Sequence, residues 1–171
     1  MRTIFKIPQR LRLDILRDLR RPHPFAYERV GFISCRAATP MEDTLLILAT
    51  GYETIPDNEY LDDPSAGAVI GPDAMLRALR IGLNEGRGDV SVFHVHHHFG
   101  RGIPAFSRID ARETANFIPD FFHTAPTMPH GALILSDTRA CGRVWVAENA
   151  HPETISEIIS VGVPTELLHL Q

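Results

Sequence analysis

The sequence has little of what marks extracellular or membrane proteins. Only two of its 171 residues are cysteines, and both Cys35 and Cys141 lie in apolar, strand-like stretches. This placement predicts buried, reduced thiols in a cytoplasmic protein, with a single disulfide as the alternative. No apolar run approaches the length that crosses a bilayer, and residues 1–8 contain no signal-like segment. We therefore expect a cytoplasmic protein without membrane spans.

The sequence also has fewer positively than negatively charged residues. The 17 Lys and Arg residues are outnumbered by 21 Asp and Glu residues, which gives a formal net charge of -4. This balance indicates neither nucleic acid nor a membrane surface as a partner. Arg17, Arg20 and Arg21 cluster on a helical pattern and predict a solvated face. With 44% hydrophobic and 22% charged residues, the chain is typical of a globular protein, and its length suits one domain over residues 1–171.

Hydrophobic periodicity predicts strands and helices that alternate along the chain. Strands are predicted at residues 3–7, 27–35, 43–54, 90–98, 131–135 and 142–147. Helices are predicted at residues 11–19, 71–85 and 107–118, and Pro119 is expected to end the third. Residues 55–68 are predicted as a long loop. The tail from Pro152 is ambiguous from the sequence, where Ile155, Ile158 and Ile159 fit a short helix. These elements predict a single α/β domain with helices packed on a mixed sheet.

Two apolar patterns predict which faces of these elements are buried. Residues 45–48, within the third predicted strand, form a continuous apolar run that is typical of a buried strand. In the second predicted helix, Met75, Leu76, Leu79 and Leu83 form an apolar stripe that we expect to face the core.

The most informative stretch holds four histidines within five residues, at the end of an apolar strand. Alternate side chains of a strand share a face, so His94, His96 and His98 should point the same way. His97 should point to the other face. Two imidazoles on one face can converge on a cation, and the following loop can return Asp110 as a third ligand. Such a His and Asp set with an open fourth position describes a catalytic zinc site, with one Zn²⁺ per chain.

Ser107 and Asp110 also have a purely structural explanation. The pattern Ser-x-x-Asp is similar to a capping box, in which the serine caps a helix and the acid reaches back to its backbone. Packing does not explain the histidines in the same way, because stacked imidazoles bury poorly and repel one another when protonated. The combination of histidines and carboxylate therefore favours a metal site.

These residues resemble the signature of the JAMM (MPN+/JAB) metalloproteases, which has an upstream Glu, then His-x-His, a spacer and Ser-x-x-Asp. Glu28, followed by Val30-Gly31-Phe32, looks like the upstream Glu with its trailing Gly. The order of predicted elements is similar as well, so the resemblance covers most of the chain. It implies an MPN/JAB-like mixed β-sheet flanked by helices.

The sequence departs from the family pattern in two ways. The family spacer is usually shorter than the ten residues between His96 and Ser107, and closer to the eight between His98 and Ser107. Strand position therefore favours His94 with His96, whereas spacing favours His96 with His98. We predict His94, His96 and Asp110 as the metal ligands, with His98 as the alternative to His94. The second departure is Val95, which stands where the family commonly has Ser or Thr, so a hydroxyl contact with substrate is absent.

The resemblance implies a role for each of these side chains. Two neutral imidazoles and Asp110 would hold Zn²⁺, which lowers the pKa of a water molecule towards ~7. Glu28 would take a proton from that water as general base and pass it to the leaving amine. Ser107 would donate a hydrogen bond to the developing oxyanion. The implied reaction is hydrolysis of a peptide-type amide bond.

The resemblance also implies the substrate class. Family members typically cleave isopeptide or C-terminal bonds made by ubiquitin or ubiquitin-like proteins, and this chain looks like the stand-alone bacterial or archaeal type. Some of these members belong to bacterial conjugation systems linked to antiphage defence. The loops at residues 55–68 and 99–106 are then candidates for gripping an extended tail, through Tyr60, Phe99, Ile103 and Phe106.

Two other functions compete with this one. A catalytically silent MPN scaffold would bind partners only, but such members usually lose several signature residues and this chain has every residue type of the signature. A zinc nucleobase deaminase would need His-x-Glu followed by Pro-Cys-x-x-Cys, and neither motif is present.

Overall fold

The structure is a computed structural model that describes residues 1–22, 28–61, 67–84 and 86–170. The strands are β1 (Arg2–Pro8), β2 (Val30–Met41), β3 (Thr44–Thr54), β4 (Tyr60–Leu61), β5 (Val69–Ile70), β6 (Ser91–His97), β7 (His130–Leu135), β8 (Ala140–Trp145), β9 (Glu153–Thr154), β10 (Glu157–Val161) and β11 (Glu166–Leu170). The α-helices are α1 (Gln9–Leu19), α2 (Pro72–Leu83) and α3 (Arg108–Thr124).

Most of the strands belong to one mixed sheet. Nine of them lie in the order β11-β10-β1-β3-β2-β6-β7-β8-β9, and β4 pairs antiparallel with β5 in a separate two-stranded sheet. β1 runs parallel to both β10 and β3, and β6 runs parallel to β7. β8 lies near one end of this order and contacts β10 and β11 at the other end, so the sheet is curled. The prediction of a mixed sheet with packed helices is therefore confirmed.

Two apolar cores lie on the two faces of the sheet. The core under α1 contains Ile33 and Phe93, and the core under α2 and α3 contains Phe32 and Val92. Neighbouring residues of β2 and β6 thus alternate between the cores, as expected for strands covered on both faces. The positions of β6 that follow Val92 in steps of two therefore face α2 and α3.

Several predicted strands are present with different limits. The strand predicted at 27–35 begins at Val30, so Glu28 precedes it, and residues 23–27 lie outside the described part of the chain. The apolar run at 45–48 is not uniformly buried: Leu45 and Ile47 are buried, whereas Leu48 is 43% exposed. Only one face of β3 lies on the core under α1, so burial alternates along the strand.

The second predicted helix is present as α2, and two residues of its predicted stripe, Met75 and Leu79, pack partly buried against the core. Ala74, Ala78 and Gly82 are the buried residues, whereas Leu76 and Leu83 are 44% and 45% exposed. A Cβ atom at Gly82 would lie 2.6 Å from the Thr124 side chain at the end of α3. Close packing of these helices therefore requires small residues at the contact.

Pro119 does not end the third predicted helix, because α3 continues to Thr124. A proline inside a helix costs about 3 kcal/mol. Ile118, Phe121 and Phe122 are almost fully buried on either side of it. Each such side chain contributes ~1.5–3 kcal/mol on burial, so packing outweighs the cost of the proline.

The tail from Pro152, which is ambiguous from the sequence, forms β9, β10 and β11 rather than the short helix that its isoleucines fit. Ile155 and Ile158 are fully buried, and β10 pairs with β1 at the opposite end of the chain. A pairing so distant in sequence leaves no local signal. The loop predicted at 55–68 is partly wrong, since it contains a 3-10 helix (Asp57–Glu59) and β4. Residues 62–66 lie outside the described residues.

The remaining composition-based predictions concern thiols, arginines and membranes. Cys35 and Cys141 are free and buried, as predicted. Two of the clustered arginines form ion pairs within α1 or just beyond its end, Arg17 with Asp14 and Arg21 with Asp18. Within the described residues, none of the helices has the length and apolar character needed to cross a membrane. The cytoplasmic location stays a prediction.

Candidate metal centre

The end of β6 brings two imidazoles together. His96 is 3% exposed, and its Nε2 atom lies 3.1 Å from Nε2 of His98. β6 ends at His97, but the backbone N–H of His98 donates to the Leu135 carbonyl of β7. This hydrogen bond extends the pairing by one residue, so His98 remains on the same face as His96.

Two carboxylates face this pair of imidazoles. Asp110 has one oxygen 3.5 Å from Nε2 of His96 and the other 3.8 Å from Nε2 of His98. Glu28 Oε1 lies 3.8 Å from Nε2 of His98. The ligand atoms of Glu28, His96 and His98 all lie within 4.8 Å of one another. Asp110 is outside this triplet, but it lies within 4 Å of both imidazoles.

The capping box predicted at Ser107 is confirmed, and it orients Asp110. Ser107 Oγ accepts a hydrogen bond from the Asp110 N–H at 3.1 Å, and Asp110 Oδ2 accepts one from the Ser107 N–H at 2.7 Å. Partial burial alone would raise the pKa of Asp110. The hydrogen bond from Ser107 and the attraction of His96 outweigh burial, so the pKa lies below its ordinary value. Asp110 is therefore available as a charged ligand.

Glu28 differs from Asp110 because its environment favours the protonated form. Burial raises the pKa of Glu28; attraction by His98 lowers it, repulsion by Asp110 raises it, and the net shift is upward. Its backbone N–H donates to the Gly67 carbonyl at 2.9 Å. A Cβ atom at Gly67 would lie 3.1 Å from Glu28 Oε2, so the absence of a side chain at Gly67 gives this carboxylate room.

Arg29 and Tyr60 fix the backbone next to Glu28. The buried Arg29 guanidinium donates to the carbonyls of Arg21 and Pro22 and to the Asp57 carboxylate. The Tyr60 hydroxyl accepts from the Val30 N–H and donates to the Val30 carbonyl, both at 3.0 Å. The sequence analysis did not identify Arg29. Tyr60 is 7% exposed and anchors the chain, and its role in gripping a tail stays a prediction.

His94 shares the face of His96 but lies among aromatic rings. Its ring centroid is 5.0 Å from that of Phe117, 5.8 Å from that of Phe32 and 5.6 Å from that of His96. Burial lowers the pKa of His94 to about 3, so the imidazole is neutral. The triplet of converging ligand atoms contains His98 and does not contain His94. The predicted pair is His94/His96, with His98 as the alternative to His94; among the described residues, the converging ligand atoms belong to His96 and His98, which is the alternative pair. Which pair binds a metal stays a prediction.

Two further histidines support β6 from outside the cluster. His97 points to the opposite face, as predicted, and its Nε2 atom lies 3.2 Å from an Asp137 carboxylate oxygen. His130 is fully buried: its Nδ1 atom accepts from the Val92 N–H and its Nε2 atom donates to the Ala125 carbonyl. His130 thus connects β6 to the end of α3. No sequence pattern singled it out.

The donor set fits a divalent metal ion. Burial is the main reason that the pKa of His96 falls to about 4, and the neutral imidazole is the form that binds metals. Two imidazole nitrogens 3.1 Å apart, facing two carboxylates, form a mixed nitrogen and oxygen set. Zn²⁺ and other first-row divalent ions accept such sets. The structure therefore contains a candidate metal-binding group, without identifying the metal.

A cavity of about 590 Å³ opens beside this group. It runs between α3 on one side and β5 with the start of α2 on the other. Its lining includes Glu28, His94, His96 and Asp110, so the candidate metal centre forms part of its wall.

The class of site is thus a candidate metal centre in a mixed α/β fold. No family model matches the sequence, and no curated protein matches it. Among solved structures, the N-terminal domain of STIL from Trichoplax adhaerens is similar at 10% identity and a TM-score of 0.31. That similarity covers 68% of this chain and 32% of the other, so the chain spans about a third of that structure's length. A similarity at this level carries no argument about function.

Proposed function

We propose that this protein is a zinc-dependent isopeptidase of the JAMM type, with an MPN/JAB-like fold, that hydrolyses the amide bond at the C-terminus of a ubiquitin-like protein. The observation that carries the proposal is the convergence of His96, His98 and Asp110 on a space that Glu28 also faces. These are the residue types of the JAMM signature. Eight residues separate His98 from Ser107, which is closer to the family spacer than the ten that separate His96 from Ser107.

His96, His98 and Asp110 would hold the metal through two nitrogens and one oxygen. When bound, Zn²⁺ would supply a Lewis acid and an activated water molecule. The protein's own contribution is to keep its ligands oriented before the metal arrives. The capping hydrogen bonds hold Asp110, and the pairing with β7 holds His98.

Glu28 would hold and move a proton. A general base works best when its pKa is near the operating pH, and burial raises the pKa of Glu28 in that direction. Its carboxylate faces His98 without joining the capping network of α3. It would accept a proton at a carboxylate oxygen and later release the proton to the leaving amine.

Ser107 would bind the substrate carbonyl oxygen. Its Oγ atom accepts from the Asp110 N–H, which leaves the hydroxyl hydrogen as a donor. Such a donor strengthens its hydrogen bond as charge develops on the oxygen. The substrate class comes from the resemblance. Phe99 and Ile103, which are 78% and 61% exposed in the loop between His98 and Ser107, remain candidates for contact with the modifier.

The proposal is tested by metal analysis together with cleavage of ubiquitin-like fusion proteins. We expect about one zinc ion per chain and hydrolysis that stops after chelation. Glu28→Gln should retain the metal and lose about 10²–10⁴ in kcat, because general base catalysis contributes on that scale. Glu42→Gln, at an exposed position in the turn between β2 and β3 and outside the cavity lining, is the matched control and should keep its turnover. Equal turnover in Glu28→Gln and Glu42→Gln would contradict the assigned role of Glu28.

A further inference from the structure

The cavity beside the candidate metal centre is large for a site that only has to hold a backbone amide. Its volume of about 590 Å³ lies in the range of pockets that bury whole ligands. Side chains of α3 at positions 109, 113, 116, 117 and 120 line it, which is one helical stripe leading away from Asp110. The cavity is therefore a channel with the metal-binding group at one end.

The deep part of this channel is apolar and aromatic. Phe32, His94 and Phe117 form a group of adjoining rings, with centroids 5.0–5.8 Å from His94 to the other two. Met75 of α2 and Ile70 of β5 lie on the wall and pack against the same core. Burial against such a surface stabilises a bulky apolar side chain, whereas a glycine has no side chain to bury and is not stabilised.

The charged groups of the lining have one predominant sign. Four of the five are carboxylates, which belong to Glu28, Asp110, Glu113 and Asp120. The fifth is Arg112, whose guanidinium is 2.9 Å from Glu113. An acidic side chain would therefore be repelled from this channel, whereas an apolar one would meet complementary surface at its aromatic end.

The length of the channel gives the position of the apolar group. Phe117 follows Asp110 by seven residues of helix, a rise of about 10 Å at ~1.5 Å per residue. An extended peptide covers ~3.3 Å per residue, so this distance corresponds to about three residues. The ring of His94 is nearer, with its centroid 5.6 Å from that of His96, so the apolar group lies within about three residues of the metal-binding group.

We propose that this channel is a specificity subsite for a large apolar or aromatic side chain, within about three residues of the hydrolysed bond of an extended peptide. The inference rests on the proposed amide hydrolysis for its position, but the subsite itself is a property of the channel. The side chain lies against Phe117, Met75 and His94. Recognition by these residues requires no residue of a second chain.

The first measurement is binding, without turnover. Acetylated pentapeptide amides that differ at one position, occupied by Gly, Ala, Leu, Phe or Glu, are titrated calorimetrically into the full chain kept metal-free with a chelator. We expect the Leu and Phe peptides to bind at least about tenfold more tightly than the Gly peptide, because even one methylene in an apolar pocket is worth about tenfold or more. The Glu peptide should bind most weakly.

Three variants test whether the channel is responsible. Ala68 lines the channel, so Ala68→Phe should fill it and remove the preference for Leu and Phe. Met75→Ala should widen the channel and shift the preference from Leu towards Phe. Leu76→Ala is the matched control, since Leu76 is the next residue of α2, is 44% exposed and does not line the channel. It should leave the preference unchanged.

The second measurement is kcat/KM of the zinc-loaded protein on quenched fluorescent peptides with the same substitutions. The same ranking in binding and in cleavage supports the subsite. Equal binding of the Gly and Phe peptides, or a preference for Leu and Phe that survives in Ala68→Phe, overturns the subsite, even if cleavage is observed. A channel-dependent binding preference without cleavage of any peptide or ubiquitin-like fusion upholds the subsite and overturns the proposed hydrolysis.

Discussion

Asp110 uses its carboxylate and its backbone for two purposes at once. The backbone N–H and Oδ2 close the capping box with Ser107, while Oδ1 faces His96 at 3.5 Å. The structural and the metal-binding explanations of Ser-x-x-Asp are therefore compatible. The helix start that holds the carboxylate also carries the positive end of the helix dipole, which favours its charged form.

Asp110 both caps the helix and faces the metal site, whereas Ser107 caps the helix. Substitutions at the two residues should therefore affect metal content and stability differently. Asp110→Ala should lose the metal and also destabilise the protein, because both a ligand and a capping partner are removed. Ser107→Ala should keep the metal and lose about 1 kcal/mol in the free energy of unfolding, a typical value for a cap. The measurements are zinc content by mass spectrometry and urea denaturation of the metal-free proteins. Full zinc content in Asp110→Ala would remove Asp110 from the ligand set.

A comparison of two single-residue variants tests which pair of histidines binds the metal. His98→Ala should lose the metal, because Nε2 of His98 lies 3.1 Å from Nε2 of His96. His94→Ala should retain the metal, since His94 lies among Phe32, Phe117 and His96. Zinc affinity of the two variants is measured by competition with a chelating dye. If His98→Ala retained the metal and His94→Ala lost it, the metal-binding pair would instead be His94 and His96.

At the scale of elements, the turn between β7 and β8 holds the loop that follows the histidines. Ser136 Oγ donates to the Gly102 carbonyl at 2.8 Å, and the Asp137 N–H donates to the Gly100 carbonyl at 2.8 Å. Thr138 Oγ1 donates to the Arg101 carbonyl at 2.9 Å. This turn therefore fixes the middle of the loop between the two parts of the candidate metal centre.

Loosening this turn should loosen the loop without unfolding the sheet. Ser136 is 2% exposed, so Ser136→Ala leaves the Gly102 carbonyl without its side-chain donor. We expect faster amide hydrogen exchange in residues 99–106 and unchanged exchange in β1 and β3. Ser34→Ala, whose hydroxyl lies 3.3 Å from the Thr50 hydroxyl on another part of the sheet, is the control. Unchanged exchange in residues 99–106 would show that the backbone hydrogen bond of Asp137 suffices.

At the scale of the whole molecule, His130 couples stability to pH. Burial lowers its pKa to about 4, whereas the unfolded chain keeps the ordinary value of 6.5. As the pH falls below 6.5, the unfolded chain binds a proton that the folded protein excludes, so the stability contributed by neutral His130 decreases down to about pH 4. Because His130 joins β6 to α3, this loss acts on the cooperative unfolding of the domain.

We predict that His130→Gln differs from the wild type in how its free energy of unfolding changes with pH. In chelator, the free energy of unfolding should decline less steeply from pH 6.5 to pH 4 in His130→Gln than in the wild type. Glutamine can donate and accept at this place but does not titrate. His151→Gln, at an exposed position, should decline as the wild type does. Urea denaturation at a series of pH values measures all three proteins, and parallel curves for His130→Gln and wild type would contradict the prediction.

The sequence by itself determined the local features of this protein. Alternation places His94, His96 and His98 on one face, because a strand has a side-chain period of two. Ser107 and Asp110 form the predicted capping box, because a cap depends on neighbours within one turn. The helix start at Gly71-Pro72 and the free, buried Cys35 and Cys141 follow from similarly local patterns.

Only the tertiary structure decided the features that depend on distant partners. β10 is a strand because β1 lies beside it, and α3 continues past Pro119 because Phe121 and Phe122 are buried against the sheet. His98 joins His96 rather than extending past the site because β7 pairs with its backbone. The positions of Arg29 and His130 depend on carbonyls and N–H groups from other segments, and contacts of this kind leave no periodic signal in a sequence.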